Sequence, residues 1–292
     1  MTSLLQRAEA VLLWLLYNGL RLLPLDAASA TGGAIARTLG PRLSPTRRAK
    51  RNLEMALPDA DHAAIIRGMW EHLGRMAGEY AHSLDFAKDP SRIEVIGAEH
   101  LAPFIGGQAP AILFSGHVGN WELTYPLWAR LGLKGSGVFR APDNPYLGWL
   151  FDRHTAAFPD LHLIPKGSVG ARRSIEALSK GSTLALFVDQ KMNDGIEVPF
   201  FGRPAMTAPA LASLALKFAC PVIPFRIMRT KGARFRAEFH QPVLYTPTGD
   251  RAADQLRVMT EVNAILEGWI REAPSQWLWL HRRWPKHLYA KD

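Results

Sequence analysis

His117 and Glu122 are the two residues best suited by type to move a proton. They stand five apart in Ser115-Gly116-His117-Val118-Gly119-Asn120-Trp121-Glu122. An imidazole beside a carboxylate makes a general base: the carboxylate fixes the ring tautomer and stabilises the imidazolium formed when the other nitrogen takes a proton. On one continuous helix, residues five apart would point roughly 140° away from each other. The two meet only if the chain bends between them, and Gly119-Asn120 supplies residues suited to a bend. The apolar run Ala111-Ile112-Leu113-Phe114 reads as a buried strand and Leu123 to Leu131 as a helix, which puts His117 at a strand-to-helix turn. His-x4-Glu also arises by chance, and a strand-end histidine is commonly only a hydrogen-bonded structural residue, so the context decides.

Other candidates follow the same logic of strand ends. Arg140 closes Val138-Phe139-Arg140 and precedes Ala141-Pro142-Asp143-Asn144-Pro145. Loops at strand ends are where α/β sheets bind ligands, and a guanidinium fork suits phosphate or carboxylate. Arg153 in the following helix and Lys166 after the next strand extend this into an anion pocket. Asp189 ends Leu186-Phe187-Val188-Asp189-Gln190-Lys191, either as a turn cap or as a pocket wall. Next comes Gly195 to Arg203, read as a mobile apolar loop; beside a polar cluster it suits a polar head group with a greasy tail. No G-x-S-x-G elbow is present, which disfavours an acyl-enzyme, and H-E-x-x-H, Walker A and G-x-G-x-x-G are missing too. No metal or cofactor is called for. What remains is direct transfer, with His117 activating a hydroxyl.

The elements that must hold these residues alternate from Ile93 onward. Strands are expected at 93–96, 111–115, 135–140, 162–164, 183–188, 222–228 and 234–240. Helices are expected at 120–131, 145–157, 169–179, 209–219 and 252–272. This is an α/β fold: a mixed, largely parallel sheet flanked by helices. Residues 63–83 carry the apolar periodicity of a core-packing helix. The domains expected are 1–30 as a membrane-anchoring or interfacial helix, 31–90 as a helical region and 91–292 as the catalytic domain. Within 4–25, Arg7, Glu9 and Arg21 leave only Ala10 to Leu20 uncharged, short of the roughly 20 residues that span a bilayer. An amphipathic or tilted helix in the interface fits this best, with a single span as the alternative. A cleaved signal peptide, hinted at by Ala28-Ser29-Ala30, fits poorly because Glu9 and Arg21 spoil its flanks. The basic cluster Arg42 to Arg51 is either a solvated turn or a segment drawn to an anionic leaflet, which would mark the cytoplasmic side.

Composition narrows the partners. A chain of 292 residues, 48% hydrophobic and 21% charged, is globular, and its formal charge of +9 calls for an acidic partner. Nine Trp with Arg and Lys favour a membrane interface or an acidic protein over nucleic acid, for which no binding signature is present. The single cysteine, Cys220, lies among apolar neighbours and reads as a buried small hydrophobe.

Across Ile93 to Trp284 the chain resembles the late lipid A acyltransferases, the lauroyl and myristoyl transferases of the lysophospholipid acyltransferase superfamily. The residues that carry this are His117-x4-Glu122, Phe139-Arg140 with Asp143-Asn144-Pro145, Asp189-Gln190, Val198-Pro199-Phe200-Phe201-Gly202, Pro221-Val222-Ile223-Pro224 and Gln276 to Trp284. The resemblance implies a glycerolipid acyltransferase-like fold, an acyl carrier protein thioester as donor, and a Kdo-bearing lipid A precursor as acceptor. It places the reaction at the cytoplasmic face of the inner membrane. It also implies roles: His117 as base, Glu122 orienting it, Arg140 and Arg153 on acceptor phosphate or carboxylate, and Asp189 in the pocket wall. Backbone N–H groups of Gly119 and Asn120 become candidates for the thioester oxyanion. Other acceptors with the same chemistry are an ornithine lipid, a lysophospholipid or another glycolipid; thioester hydrolysis and a non-catalytic lipid-binding module are the competing functions.

Overall fold

A helical layer precedes the sheet. In the computed structural model, which describes residues 4–107, 109–139 and 142–289 and only the backbone of residues 151 and 153–155, it comprises five helices among the described residues. They are α1 (Leu4–Arg21), α2 (Leu25–Leu39), α3 (Thr46–Ala56), α4 (His62–Tyr80) and α5 (Ser83–Lys88). Asp61 caps α4 by accepting the Ala64 N–H at 2.9 Å, the usual device for the unpaired amides of a first turn. α2 and α4 cross with their backbones in contact. A Cβ on Gly32 would lie 2.2 Å from the Gly74 carbonyl oxygen, and one on Gly74 would lie 2.1 Å from that of Gly32. Ala28-Ser29-Ala30 is thus inside α2, where Ala28 and Ser29 are fully buried on the small-residue face packed against α4 and Ala30 is exposed. The basic cluster runs from Arg42, which ends a 3-10 turn, into the start of α3. Arg48 and Arg51 donate to the carbonyls of Leu280 and Leu288, at 3.2 and 2.8 Å, tying down the C-terminal segment.

The remaining elements alternate as the periodicity predicts. They are β1 (Ile93–Ile96), β2 (Ala111–Ser115), α6 (Thr124–Arg130), β3 (Gly135–Phe139), α7 (Gly148–Ala157), β4 (Leu161–Pro165), α8 (Ser168–Ser179) and β5 (Thr183–Phe187). Then follow β6 (Lys191–Phe200), β7 (Arg203–Thr207), α9 (Ala210–Phe218), β8 (Val222–Lys231), β9 (Arg234–Phe239) and α10 (Arg251–Glu272). Among the described residues the main sheet has seven strands in the order β1-β9-β8-β2-β5-β3-β4. All neighbours are parallel except β8 and β9. β2 is buried at every position, which its unbroken apolar run requires of a central strand covered on both faces. Cys220, 2% exposed, sits in that core, and burial pushes its thiol up to about 11.

Two expectations change. Residues 195–203 do not form a loop: they belong to an antiparallel hairpin of β6 and β7, with Val198 and Phe200 fully buried. Pro199 and Pro204 face each other in it, tolerated because a two-stranded ribbon is all edge. The inner-membrane placement, so far as it rests on a spanning helix, is also corrected. Among the described residues no helix is long and apolar enough to cross a membrane. α1 has 18 residues, a rise of about 27 Å against a hydrocarbon core of about 30 Å, and it carries Arg7, Glu9 and Arg21. It is also docked. Asn144 donates to the Gln6 carbonyl and the Glu9 carboxylate at 2.8 and 2.9 Å, and Tyr17 packs edge-on against Trp149. Leu12, Trp14, Leu15 and Leu16 on its other side stay exposed.

Candidate active site

The site is assembled at the carboxyl ends of β2 and β5. These strands are parallel neighbours with Ser115 opposite Phe187, and the Val188 N–H continues the ladder to the Ser115 carbonyl at 3.0 Å. His117 and Asp189 each lie two residues beyond that pair, so equal offsets on adjacent parallel strands bring them side by side. His117 Nδ1 is 2.8 Å from Asp189 Oδ1. The carboxylate that holds the imidazole is therefore Asp189, and the expected pairing of His117 with Glu122 is corrected.

Asp189 is fully buried and receives two more N–H groups on Oδ2, from the His117 backbone and the Trp277 indole, each at 2.8 Å. Burial alone would raise its carboxyl, but the charge and hydrogen bonds of His117 outweigh that and hold it well below the ordinary carboxylate range. A buried carboxylate needs such donors, each worth about 1.5–3 kcal/mol when the acceptor is charged. An ionised Asp189 can only accept. His117 therefore carries a proton on Nδ1, and in the neutral ring the lone pair is at Nε2. Among the described residues Nε2 has no hydrogen-bond partner, and the side chain is 19% exposed.

Glu122 occupies a different place. The chain bends as the sequence predicts: Gly119 has φ +62°, and a Cβ there would lie 2.1 Å from the Ile227 carbonyl oxygen. Asn120 caps the turn Trp121–Leu123 by accepting the Glu122 N–H at 3.2 Å. Glu122 Oε1 then accepts the Trp121 indole N–H at 2.9 Å, and the Trp121 ring meets the His117 ring edge-on with centroids 5.1 Å apart. Burial pushes the Glu122 carboxyl up, against the Trp121 hydrogen bond and the His117 charge. Two carboxyls near one imidazole are thus driven in opposite directions.

The amides of Gly119 and Asn120 are not free for an oxyanion. Gly119 N–H donates to the Gln276 carbonyl at 2.9 Å, and Asn120 N–H to that of Ile227 at 2.8 Å. Both hold the turn in the fold, which corrects their expected substrate-binding role. Lys166 stands at the end of β4, exposed, with Nζ 3.4 Å from Gln190 Oε1, so it reaches the residue next to Asp189. Arg140 lies outside the described residues, and of Arg153 only the backbone, in α7, is described.

Trp277 and His281 join the site from the C-terminal segment. Leu278 N–H donates to the His117 carbonyl at 3.0 Å, which runs the segment alongside the turn and seats the Trp277 indole on Asp189. His281 Nε2 lies 3.3 Å from the Asp189 carbonyl oxygen. Burial lowers its imidazole to about 4, so it is neutral at pH 7. In the sequence both sit in the aromatic run Trp277 to Trp284, where spacing does not distinguish a carboxylate-holding indole from core. Among the described residues no group of three or more His, Cys, Asp or Glu could hold a metal ion.

Comparison with known proteins covers almost the whole chain. The bacterial lipid A biosynthesis acyltransferase family matches residues 2–286. A lipid A biosynthesis lauroyltransferase of Escherichia coli (strain K12) is 29% identical, over 81% of this chain and 79% of its own length. A lipid A biosynthesis acyltransferase of Haemophilus influenzae (strain ATCC 51907 / DSM 11121 / KW20 / Rd) is also 29% identical, over 80% of this chain and 76% of its own.

Proposed function

Because this chain belongs to the bacterial lipid A biosynthesis acyltransferase family, and is therefore an acyl-transferring enzyme of lipopolysaccharide biosynthesis, we propose that His117, held by Asp189, is its general base. The carrying observation is the 2.8 Å contact of Nδ1 with a buried carboxylate, which leaves the Nε2 lone pair for the acceptor. Nε2 takes the proton of the acceptor hydroxyl as its oxygen attacks the thioester carbonyl carbon. The C–S bond then breaks, and the departing thiolate recovers the proton from the imidazolium. Positioned base catalysis of this kind supplies about 10² to 10⁴ in rate, with orientation supplying much of the rest.

The donor we assign is an acyl carrier protein thioester, and the acceptor a hydroxyl of a Kdo-bearing lipid A precursor. The E. coli and H. influenzae relatives and the charge of +9, which suits an acidic carrier and a phosphorylated lipid, support this. Lys166, with Arg140 and Arg153, is assigned the acceptor's anionic groups. The exposed apolar face of α1 is assigned contact with lipid, without a span. Glu122 acts at one remove, by holding Trp121 against the imidazole. The test is transfer from a labelled acyl carrier protein thioester to separately supplied acceptors. Product on the lipid A precursor, lost in His117→Ala with folding preserved, is the expected result. Acylation only of an ornithine lipid, lysophospholipid or other glycolipid overturns the acceptor, and thioester loss that needs no acceptor overturns transfer.

A further inference from the structure

The turn that follows His117 is gripped from the helical layer by charged and polar groups that the chemistry does not use. We propose that His72 and Glu79 of α4, locked together by Arg229 of β8, are positioning residues that set the Gly119-Asn120 peptide and so the registry of His117 on Asp189; this rests on His117 being the base. Glu79 is fully buried and receives the Asn120 side-chain N–H at 2.7 Å, the Ser29 hydroxyl at 2.6 Å and both terminal nitrogens of Arg229. His72 Nε2 lies 2.9 Å from the Gly119 carbonyl oxygen. Arg229 Nε donates to His72 Nδ1 at 3.3 Å. A ring that accepts at Nδ1 must carry its proton on Nε2, so Arg229 selects the tautomer that donates to Gly119. Burial, reinforced by the Arg229 charge, keeps that ring neutral, with its pKa lowered to about 3.

Cohesion between α4 and the sheet does not require this arrangement. Buried ion pairs are often no better for stability than apolar residues of the same volume, whereas they fix direction. The direction fixed here is that of one peptide. Its Asn120 N–H donates to the Ile227 carbonyl, the Gly119 N–H of the preceding peptide donates to the Gln276 carbonyl, and the Gln276 side chain bonds both the N–H and the carbonyl of Arg229, at 2.9 and 3.0 Å. Gln276 precedes Trp277, which holds Asp189. Both members of the catalytic pair are thereby referred to one scaffold, Arg229 with Gln276, and slack at the peptide becomes misalignment between imidazole and carboxylate. A displacement of about 1 Å is enough to lose on the order of 10² in rate.

The experiment uses the full chain and measures kcat and KM separately for acyl transfer, alongside thermal melting and the NMR resonance of the His117 Nδ1 proton. His72→Leu removes the donor to Gly119. It is expected to lower kcat on the order of 10²-fold with KM unchanged and the Nδ1 proton signal broadened. His72→Gln, whose amide N–H falls near the place of Nε2, is expected to recover most of kcat and the sharp signal. If His72→Leu does not fold, Asn120→Ala takes its place, since it cuts the tie to Glu79 while leaving the Glu79–Arg229 pair intact. It also removes the cap on the Glu122 N–H, so Asn120→Asp, which keeps the capping oxygen and loses only the N–H donated to Glu79, is measured beside it; the same loss of kcat is expected in both. A folded His72→Leu or Asn120→Ala enzyme with parental kcat overturns the proposal. So does a His72→Gln enzyme as slow as His72→Leu, which would mark a packing role. Parental turnover in His117→Ala would instead bring down the base assignment itself, an outcome distinct from the others.

Discussion

Replacing Asp189 by Asn tests the assignment of the carboxylate partner at the level of a single proton. Oδ2 of Asp189 is the meeting point of two N–H groups and Oδ1 accepts the third. An asparagine has one oxygen, and keeping it at the Oδ2 position, where two donors converge, turns its NH2 toward His117 Nδ1. The imidazole must then accept at Nδ1 and carry its proton on Nε2, which leaves no lone pair facing the acceptor. The reverse orientation sets an NH2 against two buried N–H groups, a worse arrangement. Loss of the working tautomer lowers kcat by on the order of 10⁴, or about 5 kcal/mol of barrier at 1.36 kcal/mol per tenfold. The assay is single-turnover acyl transfer to the lipid A precursor, with thermal melting to establish that the variant folds. A folded Asp189→Asn enzyme within about tenfold of the parent would refute the pairing. Glu122→Gln in the same assay leaves the tautomer untouched and is expected to keep far more activity; the opposite ranking would return the orienting role to Glu122.

Three further outcomes follow from the same environment. Because burial raises the Glu122 carboxyl, its stabilising contribution is complete below the unfolded value of 4.5 and is lost as pH rises through the folded one; the melting temperature of Glu122→Gln relative to the parent should therefore climb from pH 5 to pH 8. His72 and His281 are held neutral in the fold, with pKa values of about 3 and about 4, so between pH 6.5 and 4.5 the unfolded chain binds protons that the fold excludes. Stability should fall with pH over that window, and less steeply in His72→Gln. Trp277→Phe deletes one of three donors to a fully buried carboxylate and should lower unfolding free energy by about 1.5–3 kcal/mol, measured by denaturant titration.

Elements whose pattern is set by local burial were legible in the sequence. β1 and β2 fall at the expected 93–96 and 111–115, and the alternation after Ile93 gives a mixed, largely parallel sheet. Local character is uninformative where packing overrides it. α2 is rich in small residues and shows no strong apolar stripe, because its contact with α4 is backbone against backbone at Gly32 and Gly74. The β6–β7 hairpin was hidden by Gly195, Pro199 and Gly202, which read as loop residues until the ribbon is seen to bury Val198 and Phe200.

At the site the strand-to-helix turn and the need for a carboxylate were legible, but not which carboxylate. Glu122 is close in sequence, yet the bend that turns it back toward the imidazole also begins a capped turn in which its side chain engages Trp121. Asp189 is 72 residues away and enters only because β5 lies next to β2 although β3 and β4 come between them in the chain. Once that order is known, two apolar strands that each place an ionisable residue at the same offset beyond their last paired position suffice to predict the contact. Parallel neighbours exposed at their carboxyl ends to one crevice make such equal offsets meet. The local motif thus singles out His117, and the sheet's strand order identifies the carboxylate that holds it.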